Sequence, residues 1–78
     1  MSKDEAKAEL ESLGASDVWF LTQPVDHHDR WGVGLSFHSC GETRRFAVRA
    51  VCEENTEEHV VAAALPTLMT WAREELRA

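Results

Sequence analysis

The clearest pattern in the chain is an alternation of large apolar residues with small or polar residues over positions 31–38. The apolar set occupies the odd positions: Trp31, Val33, Leu35 and Phe37. The even positions carry small or polar side chains: Gly32, Gly34, Ser36 and His38. A period of two predicts a β-strand that buries one face and leaves the other nearly bare.

Two further segments predict strands that complete a sheet with this one. Residues 17–23 are mostly β-branched, aromatic or apolar, and Pro24 closes the run because it lacks an amide donor. After a turn at residues 39–42, a second alternation predicts a third strand with one set of residues facing the core: Phe46, Val48, Ala50 and Cys52. The short connection makes the second and third strands antiparallel neighbours with their apolar faces on the same side.

A short amphipathic helix is predicted before the first strand. Ser2 is its predicted cap, and Glu5, three residues later, is the reciprocal member of a capping box. Gly14 marks the predicted end. The predicted buried face consists of three apolar residues at helical spacing: Ala6, Leu10 and Leu13.

A helical period replaces the alternation from Asn55 onward. The predicted buried stripe consists of apolar residues three or four positions apart: Val61, Leu65, Leu68, Ala72 and Leu76. Asn55 is a suitable cap, with Glu58 at the matching capping-box position. Pro66 lacks an amide donor and clashes with the carbonyl of Ala62 in a straight helix. Two alternatives follow: one kinked helix, or a break at which Pro66 begins a second helix.

The order of these elements predicts a single α+β domain, αβββα, over residues 1–78. Both helices are expected on one face of a three-stranded antiparallel sheet. The expected core consists of large apolar residues from the sheet and the last helix: Trp31, Val33, Leu35, Phe37, Phe46, Val48, Leu65 and Leu68. The opposite sheet face is expected to stay in water and carries Gly32, Gly34, Ser36, Arg45 and Arg49.

Charge and cysteine content narrow the classes of function. The chain has 14 acidic and 8 basic residues and a formal charge of −6, which disfavours direct contact with nucleic acid or an anionic membrane. A predicted strand separates Cys40 from Cys52, so an internal disulfide is not expected. The chain shows no signal-peptide pattern and no apolar run of about 20 residues. These features predict a soluble cytoplasmic protein.

The element order resembles that of double-stranded RNA-binding domains. That family binds RNA phosphates through lysines at the start of its last helix. Here the corresponding segment holds four carboxylates: Glu53, Glu54, Glu57 and Glu58. Since carboxylates repel phosphates, a shared topology is expected without a shared ligand.

Candidate metal-binding and catalytic groups lack the spacing that their chemistry needs. One loop contains four residues of zinc-ligand type: Asp26, His27, His28 and Asp29. Adjacent histidines seldom bind one ion, and the chain has neither a C-x-x-C nor an H-x-x-x-H motif. Cys40 with His38 or His59 would need an orienting third group and an oxyanion hole to act as a nucleophile. We therefore predict no metal site, no cofactor and no enzymatic activity.

Two surface features are candidate sites for a partner. The four glutamates near the start of the last helix exceed the one or two that complement a helix dipole, so some are predicted to contact a basic surface where phosphates normally lie. On the open sheet face, Trp19 either packs across Gly32 or Gly34, or forms a docking surface with Arg45 and Arg49.

In size, acidic charge and compact α+β organisation, the whole chain resembles the small anti-CRISPR inhibitors encoded by phages and mobile elements. That class shares no diagnostic sequence, so the resemblance assigns no residue a role. It implies a non-enzymatic inhibitor that binds a CRISPR effector complex, in the cytoplasm of a bacterial host, and blocks access to DNA. The alternative is a regulatory domain that homodimerises through its open sheet face. A monomer or a weak homodimer is expected.

Overall fold

The computed structural model describes residues 2–24, 31–50 and 56–77. In these residues a helix is followed by three strands and a second helix: α1 (Lys3–Ser12), β1 (Ser16–Pro24), β2 (Trp31–Ser39), β3 (Glu42–Ala50) and α2 (Glu57–Arg77). The predicted αβββα order is confirmed. Val51 and Cys52, predicted to continue the third strand, lie outside the described residues.

The three strands form one antiparallel sheet in the order β1-β2-β3. Ser39 pairs with Glu42, so the β2–β3 connection is a hairpin with only two residues between its strands. Both of these residues, Cys40 (φ 53°) and Gly41 (φ 81°), have positive φ, as a type I′ turn requires. That turn matches the right-handed twist of the sheet and confirms the predicted hairpin.

The predicted limits of α1 are confirmed. The Ser2 hydroxyl accepts a hydrogen bond from the Glu5 amide at 3.2 Å. At the other end Gly14 has φ +104°, its amide donates to the Glu11 carbonyl, and the Ala15 amide donates to the Leu10 carbonyl. These two bonds form a Schellman motif, which satisfies carbonyls that the helix itself leaves unpaired.

The prediction that Leu13 belongs to the buried face of α1 is wrong. Ala6 and Leu10 are fully buried, but Leu13 is 50% exposed. The regular helix ends at Ser12, and Leu13 is its C-cap. The turn toward Gly14 therefore directs Leu13 away from the stripe that periodicity assigns to it.

Helix α2 runs through Pro66 without interruption, so the alternative of a break is wrong. Ala62 and Pro66 are both exposed, and water can therefore solvate the carbonyl that Pro66 cannot bond. The hydroxyl of Thr56 accepts a hydrogen bond from the His59 amide at 3.4 Å. Thr56 thus serves as a cap; Asn55, the predicted cap, lies outside the described residues.

Both helices lie on the same face of the sheet, as predicted, with α1 against β1 and α2 against β2 and β3. The largest fully buried side chains come from α1, β2 and α2: Phe37, Leu10, Leu35, Leu68, Met69, Val33 and Val60. Alternation along β2 is confirmed, since Val33, Leu35 and Phe37 are each almost wholly buried. No helix in the described part of the chain is long and apolar enough to cross a membrane.

Phe46 is a second correction, because it was expected in the core and is 36% exposed. It belongs to β3, which is an edge strand, and it stacks on Trp71 of α2 with ring centroids 5.1 Å apart. Val48 and Trp31 pack against the core but are only partly buried. Alternation predicts the face of a residue correctly here, but not its distance from the sheet edge.

Ion pairs fix α2 to its neighbours. Arg73 donates two hydrogen bonds to the carboxylate of Glu9, at 2.7 and 2.9 Å, and so joins α2 to α1. Arg44 on β3 contacts Glu75 of α2 at 2.9 Å. The hydrogen bonds from Arg73 lower the pKa of Glu9 below its ordinary value, although partial burial opposes them.

Candidate protein-interaction surfaces

Cross-strand register arranges the open sheet face in rows, because directly opposed residues point to the same side of a sheet. Between residues 19 and 23 of β1, three rows cross the three strands: Trp19–Ser36–Arg45, Leu21–Gly34–Ala47 and Gln23–Gly32–Arg49. The predicted members Trp19, Arg45 and Arg49 therefore share one face. In each row a small residue of β2 lies between longer or apolar residues of the edge strands.

A bulge in β1 decides which residues reach this face. Ser16 pairs with His38 and Trp19 pairs with Ser36, so β1 has one residue more than β2 over this span. Asp17, within the bulge, has φ 52°, a region that aspartate tolerates better than most residues. Without the extra residue the pairing would place Val18 outside and Trp19 in the core. With it, Val18 is buried and Trp19 is 59% exposed.

The rows of Trp19 and Leu21 form a shallow depression of about 500 Å³ on the open face, here called the sheet groove. Its lining comes from all three strands: Trp19, Leu21, Gly34, Ser36, Arg45, Phe46 and Ala47. Leu21 is 51% exposed. A Cβ atom added to Gly34 would lie 3.9 Å from the Cβ atoms of both Leu21 and Ala47, which is ordinary van der Waals distance. The floor at Gly34 therefore has room for a Cβ atom without a clash.

Trp19 does not lie directly opposite either glycine. Its register partner is Ser36, and the side chain that faces Gly34 across the strands is Leu21. Gly32 is already buried and does not line the groove. The exposed Trp19 shares its row with Arg45, and Arg49 lies two rows away.

The open face is basic, although the whole chain is acidic. Arg45 and Arg49 are exposed, and neither forms an ion pair with a described residue. None of the three rows contains an aspartate or a glutamate. Arg45 and Arg49 are four residues apart on β3, which corresponds to about 13 Å along the strand.

A second depression of about 620 Å³ lies between the starts of the two helices and is here called the acidic groove. Its lining combines polar and charged residues from the starts of both helices with apolar residues of α2: Ser2, Lys3, Asp4, Glu57, Glu58, Val61, Ala62 and Leu65. Of the four predicted glutamates, Glu57 and Glu58 are exposed here, whereas Glu53 and Glu54 lie outside the described residues.

Two facts about the acidic groove were not predicted. Asp4 of α1 joins the glutamates of α2, which adds a carboxylate to the patch. Lys3 binds Glu57 at 2.9 Å and offsets one of the charges. The sequence shows that both helices begin with acidic residues, but only their packing side by side on one sheet face shows that these starts meet.

The predicted metal and thiol candidates form no site in the described part of the chain. Cys40 is an exposed thiol in the hairpin turn. Among the described residues, no group of three or more histidine, cysteine or acidic side chains could hold a metal ion. The loop at residues 26–29 lies outside them.

No family model, no curated protein and no solved structure matches the chain. Its function is therefore argued from the two grooves.

Proposed function

We propose that this protein is a non-enzymatic, cytoplasmic interaction domain that binds a protein partner through the sheet groove. The observation that supports this most strongly is the exposure of Trp19 and Leu21 beside a floor that contains two small residues, Gly34 and Ala47. Large apolar side chains grouped on one face are typical of surfaces that another molecule covers. Both are already about half buried, so covering either contributes only part of the roughly 1.5 to 3 kcal/mol that full burial of a large apolar side chain supplies.

The residue types of the groove also suit binding. Tryptophan and arginine are enriched among the interface residues whose removal weakens complexes most. Trp19 and Arg45 are held on regular strands, so little conformational freedom of the backbone is lost when a partner binds. Preorganised contacts of this kind are typical of specific association.

A partner of different sequence is favoured over a second copy of the chain. In a symmetric dimer each open face would lie against an identical one. Whatever the direction of the two-fold axis, the two faces would bring four arginines into one interface, and the three rows contain no carboxylate to compensate them. Charges of one sign that meet across an interface oppose association.

Matched alanine variants test this function. The wild-type chain is used to purify its partner, and the dissociation constant of the purified partner is then compared for Leu21→Ala, Trp19→Ala and Leu13→Ala. Leu13 is the control, because its exposure equals that of Leu21 but it lies at the end of α1. Losses of about tenfold or more for the two sheet variants alone support the proposal. Equal behaviour of Leu21→Ala and Leu13→Ala contradicts it.

A second candidate function is an acidic inhibitor that occupies a basic, nucleic-acid-binding surface of its partner, such as that of a CRISPR effector complex. The presence of Asp4 beside Glu57 and Glu58 favours it, since the charges of two helices form one patch. The Lys3 to Glu57 ion pair weakens that patch. For this reason the acidic groove is the second candidate.

A further inference from the structure

This inference rests on the proposed function and concerns the chemistry of the partner at the same groove. The relevant geometry is the order of the rows. Arg45 lies in the first row, Ala47 and Leu21 in the second, and Arg49 in the third. An exposed cation is therefore found on each side of the apolar row, with about 13 Å between the two along β3.

We propose that the sheet groove, together with the exposed Arg49 beyond its end, binds an extended, acidic segment of the partner, in which two carboxylates four residues apart flank one apolar side chain. An extended chain also advances about 3.3 Å per residue, so its residues i and i+4 match the spacing of Arg45 and Arg49. Residues i, i+2 and i+4 point to the same side. The apolar residue at i+2 then lies over Gly34, between Leu21 and Ala47.

The width of the groove favours an extended segment over a helix. The walls are formed by side chains of β1 and β3. The backbones of these two strands lie two strand spacings apart, or about 10 Å. The side chains of Trp19, Leu21 and Arg45 occupy part of that width. A helix with its side chains is about 10 to 12 Å across and would rest on the rims without reaching the floor.

Charge favours carboxylates over a nucleic acid. Tryptophan and arginine on a sheet are also suited to single-stranded nucleic acid, through stacking and phosphate contacts. A polyanion would carry many charges toward a chain of net charge −6. A short acidic segment presents two charges, and an arginine guanidinium can hold each carboxylate by two hydrogen bonds.

Selection from a phage-displayed library of short random peptides tests the inference directly. The bait is the full-length chain, with the Arg45→Glu, Arg49→Glu double variant and the Leu13→Ala variant as parallel baits. Wild type and Leu13→Ala are expected to enrich peptides with acidic residues at i and i+4 and an apolar residue at i+2. A synthetic peptide of that pattern should bind the double variant about tenfold or more weakly than it binds wild type. A scrambled peptide of equal composition should bind wild type about tenfold or more weakly than the patterned peptide does.

Three results would overturn the inference: enrichment of peptides without paired acidic residues, affinity that the double variant leaves unchanged, or no enrichment over an empty support. Binding of oligothymidylate that Trp19→Ala abolishes would assign the groove to single-stranded nucleic acid. Self-association that Trp19→Ala abolishes would assign it to a second copy. If Trp19→Ala and Leu21→Ala weaken binding of the purified partner while the peptide selection fails, the proposed function holds, and only the inference of an acidic segment is wrong.

Discussion

Trp19 and Arg45 lie in one cross-strand row of the sheet, on either side of Ser36. Their strands are about 10 Å apart, so an aromatic ring and a cation face the same open space across a small residue. This relationship depends on Asp17, whose bulge shifts the register of β1 by one residue. The candidate site and the burial of Val18 therefore have the same local cause.

Substitutions at Asp17 test that cause. Because φ is 52° at this position, Asp17→Val should lower the free energy of unfolding by about 1 to 2 kcal/mol, whereas Asp17→Gly and Asp17→Asn should leave it nearly unchanged or raise it slightly. Urea titrations monitored by circular dichroism measure all three. Equal stability of the valine and glycine variants would show that the bulge imposes no backbone constraint.

The two faces of the sheet predict opposite costs for the same substitution. Leu35 is fully buried and Leu21 is half exposed, and they lie on neighbouring strands. Leu35→Ala should lower the free energy of unfolding by about 2 to 5 kcal/mol, and Leu21→Ala by about 0.5 kcal/mol. Urea midpoints of the two variants provide the comparison. A larger loss for Leu21→Ala would mean that the faces are assigned wrongly.

The pair of Glu9 and Arg73 predicts a dependence of stability on pH. The pKa of Glu9 is lowered in the folded state by its hydrogen bonds from Arg73. The stabilisation is thus fully present above the pKa of an unfolded glutamate, about 4.3, and is lost as the pH falls through the lower folded value.

A double-mutant cycle isolates this effect from other titrating groups. Glu9→Gln, Arg73→Gln and the combined variant are unfolded in urea at about pH 7 and about pH 3, on either side of the glutamate range. The coupling free energy should be favourable at the higher pH and should shrink toward zero at the lower one. A coupling that does not change with pH would contradict the hydrogen-bonded ion pair.

Charge reversal separates the second candidate function from the first. Glu57→Lys with Glu58→Lys removes the ion pair to Lys3 and opposes the helix dipole, at a cost of about 1 kcal/mol of stability. Glu11→Lys with Glu74→Lys is the matched control, since both residues are exposed and the net charge changes equally. The acidic-inhibitor function predicts that only the first pair of substitutions lowers the affinity for the partner and the dependence of that affinity on salt. Binding through the sheet groove predicts that the two pairs behave alike.

The strands and helices could be predicted because their causes are local. The alternation of Val33, Leu35 and Phe37 sets the buried face of β2, and Ser2 and Gly14 set the limits of α1. Those features depend on residue spacing and capping, which a sequence displays directly.

Features that arise from the relative position of elements could not be predicted in the same way. The exposure of Phe46 follows from its place on an edge strand beneath Trp71. The pairing of Trp19 with Ser36 follows from a single bulge, which the shift of register and the positive φ at Asp17 reveal. The meeting of Asp4 with Glu57 follows from how two helices pack on one sheet face. Periodicity along the chain carries no information on these distances.

The central claim is that the partner binds the open sheet face, and backbone NMR of the labelled chain with purified partner tests it most directly. The proposal predicts that the largest changes in amide chemical shift occur in the rows that contain Trp19, Gly34 and Arg45, with little change at the helix starts. Largest changes at Asp4, Glu57 and Glu58, with the sheet rows unaffected, would contradict it and assign binding to the acidic groove.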